Sequence, residues 1–486
     1  MSNKRITKRS ESFSKWYLDI VEQAELAENS AVRGAMVIKP HGYAIWEEIQ
    51  SGLNSIIKEH GVVNAYFPLL IPKSFLSKEA NHVKGFAKEC AIVTHHRLME
   101  DGKGGVMVDP KSKLEEELII RPTSETVMYD TFSRWITSWR DLPLKINQWA
   151  NIMRWEMRTR PFLRTSEFLW QEGHTVHETK EEAIDEALWA LHMYRDFARE
   201  YLAMPVIIGK KSKAERFAGA VDTYGVEALM QDGKALQFGT SHDLGQNFSK
   251  VFNILFTDKE GKQQNAWQTS WGVSTRMIGA LIMVHGDDKG LVLPPNIASL
   301  KSIIIPIYSD DNKENVLEYA EKVSNTLESV KLDLRENMSP GAKFNDWEKK
   351  GIPVRIEIGP KDVAKKGVVL VRRDTGEKEF VKLKKVPKRV NELLENIQES
   401  LYDKAVERLR EGTHVVSTYE EFKDVIKNSK GFIKAPWCGD SKCEEKIKED
   451  TKATTRCLTE DGVGISGKCI ICGKECNEVW TFGIPY

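Results

Sequence analysis

Cysteine is the residue type whose placement in this chain most directly predicts chemistry. Six of the seven cysteines follow residue 437; four residues separate Cys438 from Cys443, and two separate Cys469 from Cys472. Two such pairs supply four thiolates, which is the ligand set of a closed, tetrahedral, structural Zn²⁺ site. The spacing therefore predicts a zinc site in a small C-terminal domain. Two alternatives remain open: Cys457 or Cys476 could take part, or the thiols could simply be reduced and buried.

Arginine is the second residue type that predicts chemistry, in a set between residues 121 and 164. Arg121 and Arg154 stand in apolar, strand-like surroundings, where an unpaired guanidinium is costly. The planar guanidinium suits phosphate and carboxylate groups. Glu125 and Glu156 could be ordinary salt-bridge partners of single arginines, but the set as a whole favours a site for a polyanion.

Composition narrows the class of protein that must position these residues. The 486 residues carry 71 Lys and Arg against 71 Asp and Glu, and 41% are hydrophobic, as in ordinary globular proteins. The zero net charge argues against a nucleic-acid binder that works by bulk positive charge. No apolar run reaches membrane-spanning length and the N-terminus does not resemble a secretory signal, so we expect a cytoplasmic protein with no membrane partner.

The hydrophobic pattern predicts mixed helices and strands in several domains. The predicted helices are residues 13–24, 41–59 and 181–201, and the predicted strands between them are 118–121, 146–154 and 267–273. The two types do not alternate regularly, which favours an α+β domain over a parallel doubly wound one. After a boundary near Pro294 and Pro295, alternating strands and helices, including a helix predicted over residues 314–329, indicate a small α/β domain. A long helix over residues 387–411 then leads to the cysteines.

Several of these motifs resemble those of class II aminoacyl-tRNA synthetases. Arg154 to Glu156 followed by Arg164 to Phe168 resembles motif 2, Ser270 to Arg276 resembles motif 3, and Val37 to Leu53 resembles motif 1, a dimer element. Further segments resemble the prolyl-tRNA synthetase family of class IIa in its archaeal and eukaryotic form, over essentially the whole chain. These segments are Arg121 to Glu125, Phe162 to Thr165, Trp170 to His174, Gly239 to His242, Leu244 to Ser249 and Val284 to Asp287.

The resemblance implies a fold, a reaction and partners. It implies an α+β chain with an antiparallel-sheet catalytic core over residues 1–296, an α/β anticodon-binding domain over 297–400 and a small zinc-containing α+β domain over 401–486. The implied reaction joins L-proline and ATP into prolyl-adenylate and pyrophosphate, with Mg²⁺ on the phosphates. Proline then passes to the 3′ end of tRNA(Pro). The implied assembly is a homodimer through motif 1.

The resemblance also assigns roles to individual residues. Arg154 would contact the α-phosphate and the attacking carboxylate, while Arg164 and Arg276 would hold the outer phosphates as the other catalytic cations. Phe168 would stack on adenine with Arg276 on its other face. The remaining ATP residues would be Glu156, Thr165, Gln237, Thr240 and Ser274. The proline pocket would be formed by Thr123, Glu125, Arg154, Trp170, Phe217 and His242. The anticodon would be read by Phe344, Trp347, Arg355 and Glu357.

Departures from the family pattern and alternative functions complete the predictions. Ala220 stands where the family has glycine, and only about 110 residues separate Arg164 from Arg276. That interval leaves no room for an editing insertion, so we expect mischarged alanyl-tRNA not to be cleared by this chain.

Tyr486, the last residue, is expected to return toward the catalytic site. The alternatives are a class IIa synthetase for another amino acid, or a catalytically silent RNA-binding paralogue.

Overall fold

The computed structural model describes residues 5–77 and 89–486. Residues 1–4 and 78–88 of the predicted first domain lie outside the described residues. Three units, each built around its own sheet, follow one another along the chain. In the part of the chain so described, no helix is both long and apolar enough to cross a membrane.

The helices of the first unit include the three predicted from apolar periodicity. Helix Phe13–Gln23 begins after Ser12, whose Oγ accepts a hydrogen bond from the Lys15 amide at 3.3 Å. Pro40 occupies the first position of the next helix, where its missing N–H removes no helical hydrogen bond. Thr179 and Glu182 form a capping box at the start of a third. The helices after the first are Pro40–Glu59, Lys73–Ser77, Glu125–Trp135, Lys180–Glu200, Asn247–Phe252 and Arg276–His285.

The longest strands of the first unit all lie from residue 144 onward, in the central sheet. They are β1 (Ala27–Asn29), β2 (Met36–Ile38), β3 (Val63–Asn64), β4 (Leu70–Pro72), β5 (Ile92–His95), β6 (Leu98–Glu100), β7 (Val106–Val108), β8 (Lys113–Ile120), β9 (Leu144–Met153), β10 (Glu167–His177), β11 (Ile207–Lys210), β12 (Asp222–Leu229), β13 (Ala235–Gly245), β14 (Leu255–Thr257), β15 (Gln263–Asn265) and β16 (Trp267–Ser274).

A seven-stranded sheet in the order β11-β12-β13-β16-β10-β9-β3 forms the centre of this unit. Every neighbouring pair is antiparallel except β3 and β9. Helices Lys180–Glu200 and Arg276–His285 pack on the sheet and bury a large apolar core with it. An antiparallel sheet covered by helices is the α+β arrangement that the sequence pattern predicts.

The second unit is an α/β domain. Its strands are β17 (Ser302–Pro306), β18 (Val330–Leu332), β19 (Val354–Ile358), β20 (Gly367–Arg372) and β21 (Lys378–Lys382), and its helices are Lys313–Ser324, Pro340–Lys350, Pro360–Ala364 and Val386–Glu411. The sheet order is β18-β17-β19-β20-β21, with β17 parallel to both of its neighbours. The helix predicted over residues 314–329 ends at Ser324, before Ser329 takes a left-handed φ of +48° that a helix cannot contain.

The third unit contains the cysteine cluster. Its strands are β22 (Thr413–Val415), β23 (Phe432–Pro436), β24 (Thr454–Cys457), β25 (Val463–Lys468) and β26 (Glu475–Gly483), and its helices are Tyr419–Asn428 and Ser441–Thr451. The sheet order is β22-β23-β26-β24, and β25 pairs with β26. Trp437, Phe422 and Phe482 pack in its own small core.

Backbone hydrogen bonds connect the third unit to the large sheet of the first unit. The amide of Lys210 donates to the carbonyl of Leu458 at 3.0 Å, and the amide of Leu458 donates back at 2.8 Å. Near the end of the chain, the amide of Ala235 donates to the carbonyl of Ile484 at 2.9 Å. The third unit therefore contacts the large sheet both at its edge strand β11 and at the start of the inner strand β13.

Candidate active site

Two adjoining cavities lie over the centre of the large sheet. The inner cavity has a volume of about 310 Å³ and the outer cavity about 320 Å³. The inner one is lined by the predicted residues Thr123, Glu125, Arg154, Phe168, Trp170, Phe217, Gln237, Thr240, His242, Ser274 and Arg276. The outer one is lined by Arg154, Glu156, Arg164, Thr165, Phe168, Ser274 and Arg276. The structure thus brings every residue predicted for the amino acid and for ATP to one continuous site.

Arg154 lies where the two cavities meet, just after the end of β9. Its Nε donates to the carbonyl of Pro122 at 2.9 Å, and its guanidinium lies 5.6 Å from the ring centre of Phe168 and 5.7 Å from that of Trp170. Burial lowers the pKa of Arg154, and the charges of Glu125 and Glu172 act in the opposite direction. The side chain is a cation held by a low-dielectric wall, which strengthens its attraction for an anion in the cavity.

Arg276 is the first residue of the helix that follows β16. Its Nε donates to the carbonyl of Leu163 and its Nη1 to the carbonyl of Gln237, both at 3.1 Å. Burial lowers the pKa of Arg276 to about 10, and the positive charges of Arg154 and Arg164 add to this effect. The side chain is still protonated at neutral pH. A buried arginine whose charged form is disfavoured by two neighbouring arginines is stabilised when a polyanion binds.

The loop between β9 and β10 carries the third arginine. Arg164 is half-exposed, and its Nε lies 3.6 Å from Oε2 of Glu156, whose Oε1 accepts from the Arg158 amide at 2.7 Å. Thr165 donates through Oγ1 to the carbonyl of Glu167 at 2.7 Å. The cation over the ring of Phe168 in this structure is Arg154, so the stacking of Arg276 on Phe168 stays a prediction for the ATP-bound state.

The inner cavity joins a carboxylate and a hydroxyl to flat apolar walls. Glu125 begins a helix, and the Thr123 hydroxyl donates to its carboxylate. The ring of Phe217 stacks on His242 with ring centres 4.4 Å apart. His242 has Nδ1 2.9 Å from Oγ1 of Thr223, and burial lowers its pKa to about 4. A neutral imidazole, a carboxylate and aromatic rings suit a small ligand with a cationic nitrogen and an apolar body.

A buried polar network beneath this pocket contains residues to which we assigned no role from the sequence. Glu172 accepts from the Ser124 hydroxyl at 2.5 Å and from Nε2 of Gln148 at 2.8 Å, and its other oxygen lies 3.0 Å from His174 Nε2. His174 in turn meets the Tyr129 hydroxyl at 3.1 Å. Because successive side chains alternate across a strand, Glu172 and His174 share the face of β10 that carries Trp170. This alternation along β10 was the sequence signal from which Glu172 and His174 could have been predicted to lie near the pocket.

The four predicted cysteines come together in the third unit. Sγ of Cys438 lies 3.8 Å from that of Cys443 and 3.7 Å from that of Cys472, and all four sulfurs, including that of Cys469, lie within 4.8 Å of one another. A tetrahedral zinc with Zn–S bonds of about 2.3 Å has sulfurs about 3.8 Å apart. The cluster therefore has the ligand chemistry and the spacing of a metal site.

The other two cysteines of this unit have separate surroundings. Cys457 is fully buried in β24, and the Cys476 thiol lies 3.4 Å from the carbonyl of Gly467. The cluster of candidate ligands in the described residues contains neither of them.

The candidate anticodon residues lie on the second unit, about a cavity of about 190 Å³ that Trp347 and Arg355 help to line. The Arg355 guanidinium stacks 4.4 Å from the centre of the Phe344 ring, and its Nε donates to Glu357 at 3.0 Å. Trp347 is 9% exposed, and its indole N–H donates to Asp333 at 2.8 Å. Trp347 thus has a packing role in this unit, whereas Phe344 and Arg355 form a stacked pair beside it.

The last residue of the chain lies beside the first unit. The amide of Tyr486 donates to the Ala235 carbonyl at 3.1 Å, and its hydroxyl donates to Asp232 at 2.7 Å. Its ring centre lies 5.6 Å from the guanidinium of Arg160, in the loop between β9 and β10. The tail therefore touches the loop that carries Arg164.

Comparison with known proteins assigns a family description to each unit. Residues 108–285 match the tRNA synthetase class II core domain (G, H, P, S and T), residues 301–393 match an anticodon binding domain, and residues 419–486 match the C-terminal domain of prolyl-tRNA synthetase. Curated proline–tRNA ligases from Porphyromonas gingivalis and Phocaeicola vulgatus are both 57% identical over 99% of each chain. The proline–tRNA ligase of Flavobacterium johnsoniae is 54% identical over 100% of both chains.

Proposed function

Because the chain belongs to the proline–tRNA ligase family of class II aminoacyl-tRNA synthetases, we infer that it is an aminoacyl-tRNA ligase of translation. It activates L-proline with ATP, giving prolyl-adenylate and pyrophosphate, and transfers proline to the 3′ end of tRNA(Pro). The observation that carries this function is the meeting of the two cavities at Arg154. One cavity fits a small amino acid with a cationic nitrogen and an apolar body, and the other is lined by arginines that fit the phosphates of ATP.

The chemistry of activation explains why the site is built from cations. An oxygen of the proline carboxylate attacks the α-phosphorus, and the bond from that phosphorus to the pyrophosphate oxygen breaks. Both reactants are anionic, so the chain must bring them together and stabilise the added charge, without a covalent nucleophile. In our proposal Arg154 contacts the carboxylate and the α-phosphate. Arg164 and Arg276 hold the outer phosphates, and Phe168 stacks on adenine.

The remaining lining residues complete the two subsites in this proposal. Glu125 and Thr123 accept hydrogen bonds from the secondary ammonium of proline. Trp170 and Phe217 form the apolar wall, and the neutral His242 positions that wall. For ATP, the proposed contacts to adenine, ribose and phosphates are those of Glu156, Thr165, Gln237, Thr240 and Ser274. Mg²⁺ would neutralise phosphate charge, and the carboxylates of Glu89 and Glu156 in the outer cavity offer the oxygen ligands it prefers.

The cysteine cluster and the assembly of the chain add two further proposals. We propose that the metal is Zn²⁺ and that it is structural, because four thiolates close its coordination sphere. We also propose a homodimer through motif 1. Exposed apolar residues lie in this segment and next to the edge strand β3, with Val37 47% exposed and Tyr66 71% exposed. Contact with a partner chain would remove this apolar surface from water, which is favourable. A cytoplasmic location, where translation takes place, stays a prediction.

Proline-dependent exchange of pyrophosphate into ATP tests the proposed function. The native chain should catalyse exchange with proline, and Arg154→Ala should lower the rate by at least about a hundredfold, as for other lost transition-state contacts. Arg195→Ala is a matched control, because Arg195 pairs with Asp196 on an exposed helix surface and should leave the rate unchanged. Absence of exchange with proline would favour a silent paralogue, and exchange with a different amino acid would favour another class IIa specificity.

A further inference from the structure

A buried ion cluster joins the third unit to the catalytic sheet. Glu227 in β12 has a fully buried side chain, and two cations from different parts of the chain bind its carboxylate. Nζ of Lys211 lies 3.1 Å from Oε1. Arg456 of β24 donates from Nε to Oε2 at 3.1 Å and from Nη2 to both oxygens at 2.8 Å. Both carboxylate oxygens thus accept hydrogen bonds, and within residues 5–77 and 89–486 the donors to Oε2 are both on Arg456.

This cluster lies next to the proposed ATP site. Glu227 is paired across the sheet with Gln237 of β13, at a point where a bulge shifts the register. The carbonyl of Gln237 accepts a hydrogen bond from Nη1 of Arg276 at 3.1 Å. The negative charge of Glu227 raises the pKa of Arg276, and the positive charge of Arg456 lowers it. Glu227 of β12 and Gln237 of β13 therefore link the arginine of the third unit to the arginine proposed to hold the phosphates.

The fold of the third unit determines where Arg456 lies. Its strand is anchored by the reciprocal backbone bonds of Leu458 and Lys210. In addition, Glu444, the residue after the metal-site candidate Cys443, accepts from the hydroxyls of Ser212 and Thr455. Ser212 follows Lys211 in the chain, so the helix that carries Cys443 and the strand that carries Arg456 contact the same short segment of the catalytic unit.

We propose that Arg456 is a positioning residue for ATP: it binds the Glu227 carboxylate and thereby leaves Arg276 available to the phosphates. The proposal rests on the proposed function, since it assigns ATP to the Arg276 subsite. Without Arg456, Oε2 of Glu227 would be a buried anionic oxygen that has lost its donors, which is strongly unfavourable. Arg276 is a cation within electrostatic reach of that carboxylate. Glu227 would then compete with ATP for Arg276.

The test is a set of variants measured by proline-dependent pyrophosphate exchange. Arg456→Met should raise KM for ATP by about tenfold and change KM for proline by less than about twofold, because only the phosphate end loses a partner. The double variant Glu227→Gln with Arg456→Met should restore KM for ATP to near the native value, since the competing charge is gone. Arg456→Lys should lie between the native chain and Arg456→Met.

Controls separate positioning from a general loss of structure. Arg410→Met removes the same side chain from an exposed ion pair with Glu407 and should change neither KM. An unchanged KM for ATP in Arg456→Met, or a double variant no better than the single one, would overturn the proposal while exchange by the native chain still upheld the function. If Arg456→Met does not fold, Arg456→Lys gives the same comparison, and an unaltered KM for ATP would again contradict it.

Discussion

The environment of single side chains at the site decides their charge, and His242 is the clearest case. An ordinary histidine titrates near neutral pH, but burial lowers the pKa of His242 to about 4, against the raising effect of Glu125. Its Nδ1 contacts the hydroxyl of Thr223, and its ring stacks on Phe217. A neutral ring beside the proposed proline ammonium avoids a repulsion that a charged imidazolium would cause.

We predict that KM for proline is independent of His242 ionisation between pH 6 and 8, roughly the range where a histidine with an unshifted pKa would titrate. The unfolded chain binds the proton more tightly, so His242 lowers the free energy of unfolding progressively as pH falls from about 6.5 toward 4. NMR titration of the imidazole checks this. An ionisation near pH 6.5 with a parallel rise in KM would be incompatible with it.

Sequence reasoning at the residue scale succeeded where a motif fixes both residue type and spacing. The four clustered cysteines were predicted from spacing alone. The lining of the two cavities was predicted from the family resemblance, and the roles of those residues stay predictions. The ion pair between Glu227 and Arg456 could not be anticipated, because its members lie 229 positions apart in the sequence and neither lies in a motif. A buried charge pair is determined by the packing of two units, which local sequence does not encode.

At the scale of elements, the loop between β9 and β10 is contacted by the first helix and by the last residue of the chain. The guanidinium of Arg160 lies between two aromatic rings, 4.8 Å from the centre of Tyr17 and 5.6 Å from that of Tyr486. The Tyr17 hydroxyl donates to the carbonyl of Pro161 at 2.7 Å. The same loop carries Arg164, so the first helix and the end of the chain together restrict where that arginine can lie.

Deletion of Tyr486 should therefore raise KM for ATP. A cation–π contact contributes about 0.5–2 kcal/mol, which sets the expected rise at about two- to thirtyfold. Tyr486→Phe keeps the ring but loses the hydrogen bond to Asp232, so we expect a smaller effect from it than from the deletion. Pyrophosphate exchange at varied ATP measures both, and a deletion variant with native KM for ATP would show that the tail does not order the loop.

We predict that the third unit depends on a bound metal, because its own core is small. Structural zinc contributes folding free energy directly in such domains. Cys443→Ser should lower bound zinc from about one per chain and reduce the thermal stability of the third unit, since a tetrahedral site needs all four thiolates. Elemental analysis and calorimetry measure these effects. Cys90→Ser is the matched control, because Cys90 lies outside the cluster, and equal zinc in both variants would refute the site.

Element types were more predictable than their pairing. Periodicity predicted the long helices and several strands of the large sheet. The order of that sheet was not predictable, because β10 pairs with β9 on one side and with β16, nearly a hundred residues later, on the other. Non-local pairing of this kind follows from the hydrophobic faces of the whole unit.

At the scale of the whole molecule, the segment between motif 2 and motif 3 consists of elements of the catalytic unit itself. The residues from Arg164 to Arg276 include five strands of the large sheet (β10 to β13 and β16), the helix Lys180–Glu200 that packs on it, and the separate two-stranded sheet of β14 and β15. The family assignment confirms the predicted class II core, anticodon-binding and C-terminal units. The exact domain boundaries stay predictions.

The short interval between the motifs leads to a prediction about tRNA(Pro) that carries the wrong amino acid. A pocket shaped for proline rejects a smaller apolar amino acid by only about 1–3 kcal/mol, so alanine should be activated at a low but measurable rate. Removal of the mistake needs a second, hydrolytic site, and the interval between the motifs is already used by the catalytic sheet. Preformed Ala-tRNA(Pro) should therefore persist in the presence of the enzyme at its uncatalysed rate of hydrolysis. Release of alanine faster than in enzyme-free buffer, and in proportion to enzyme, would show that this chain does contain an editing activity.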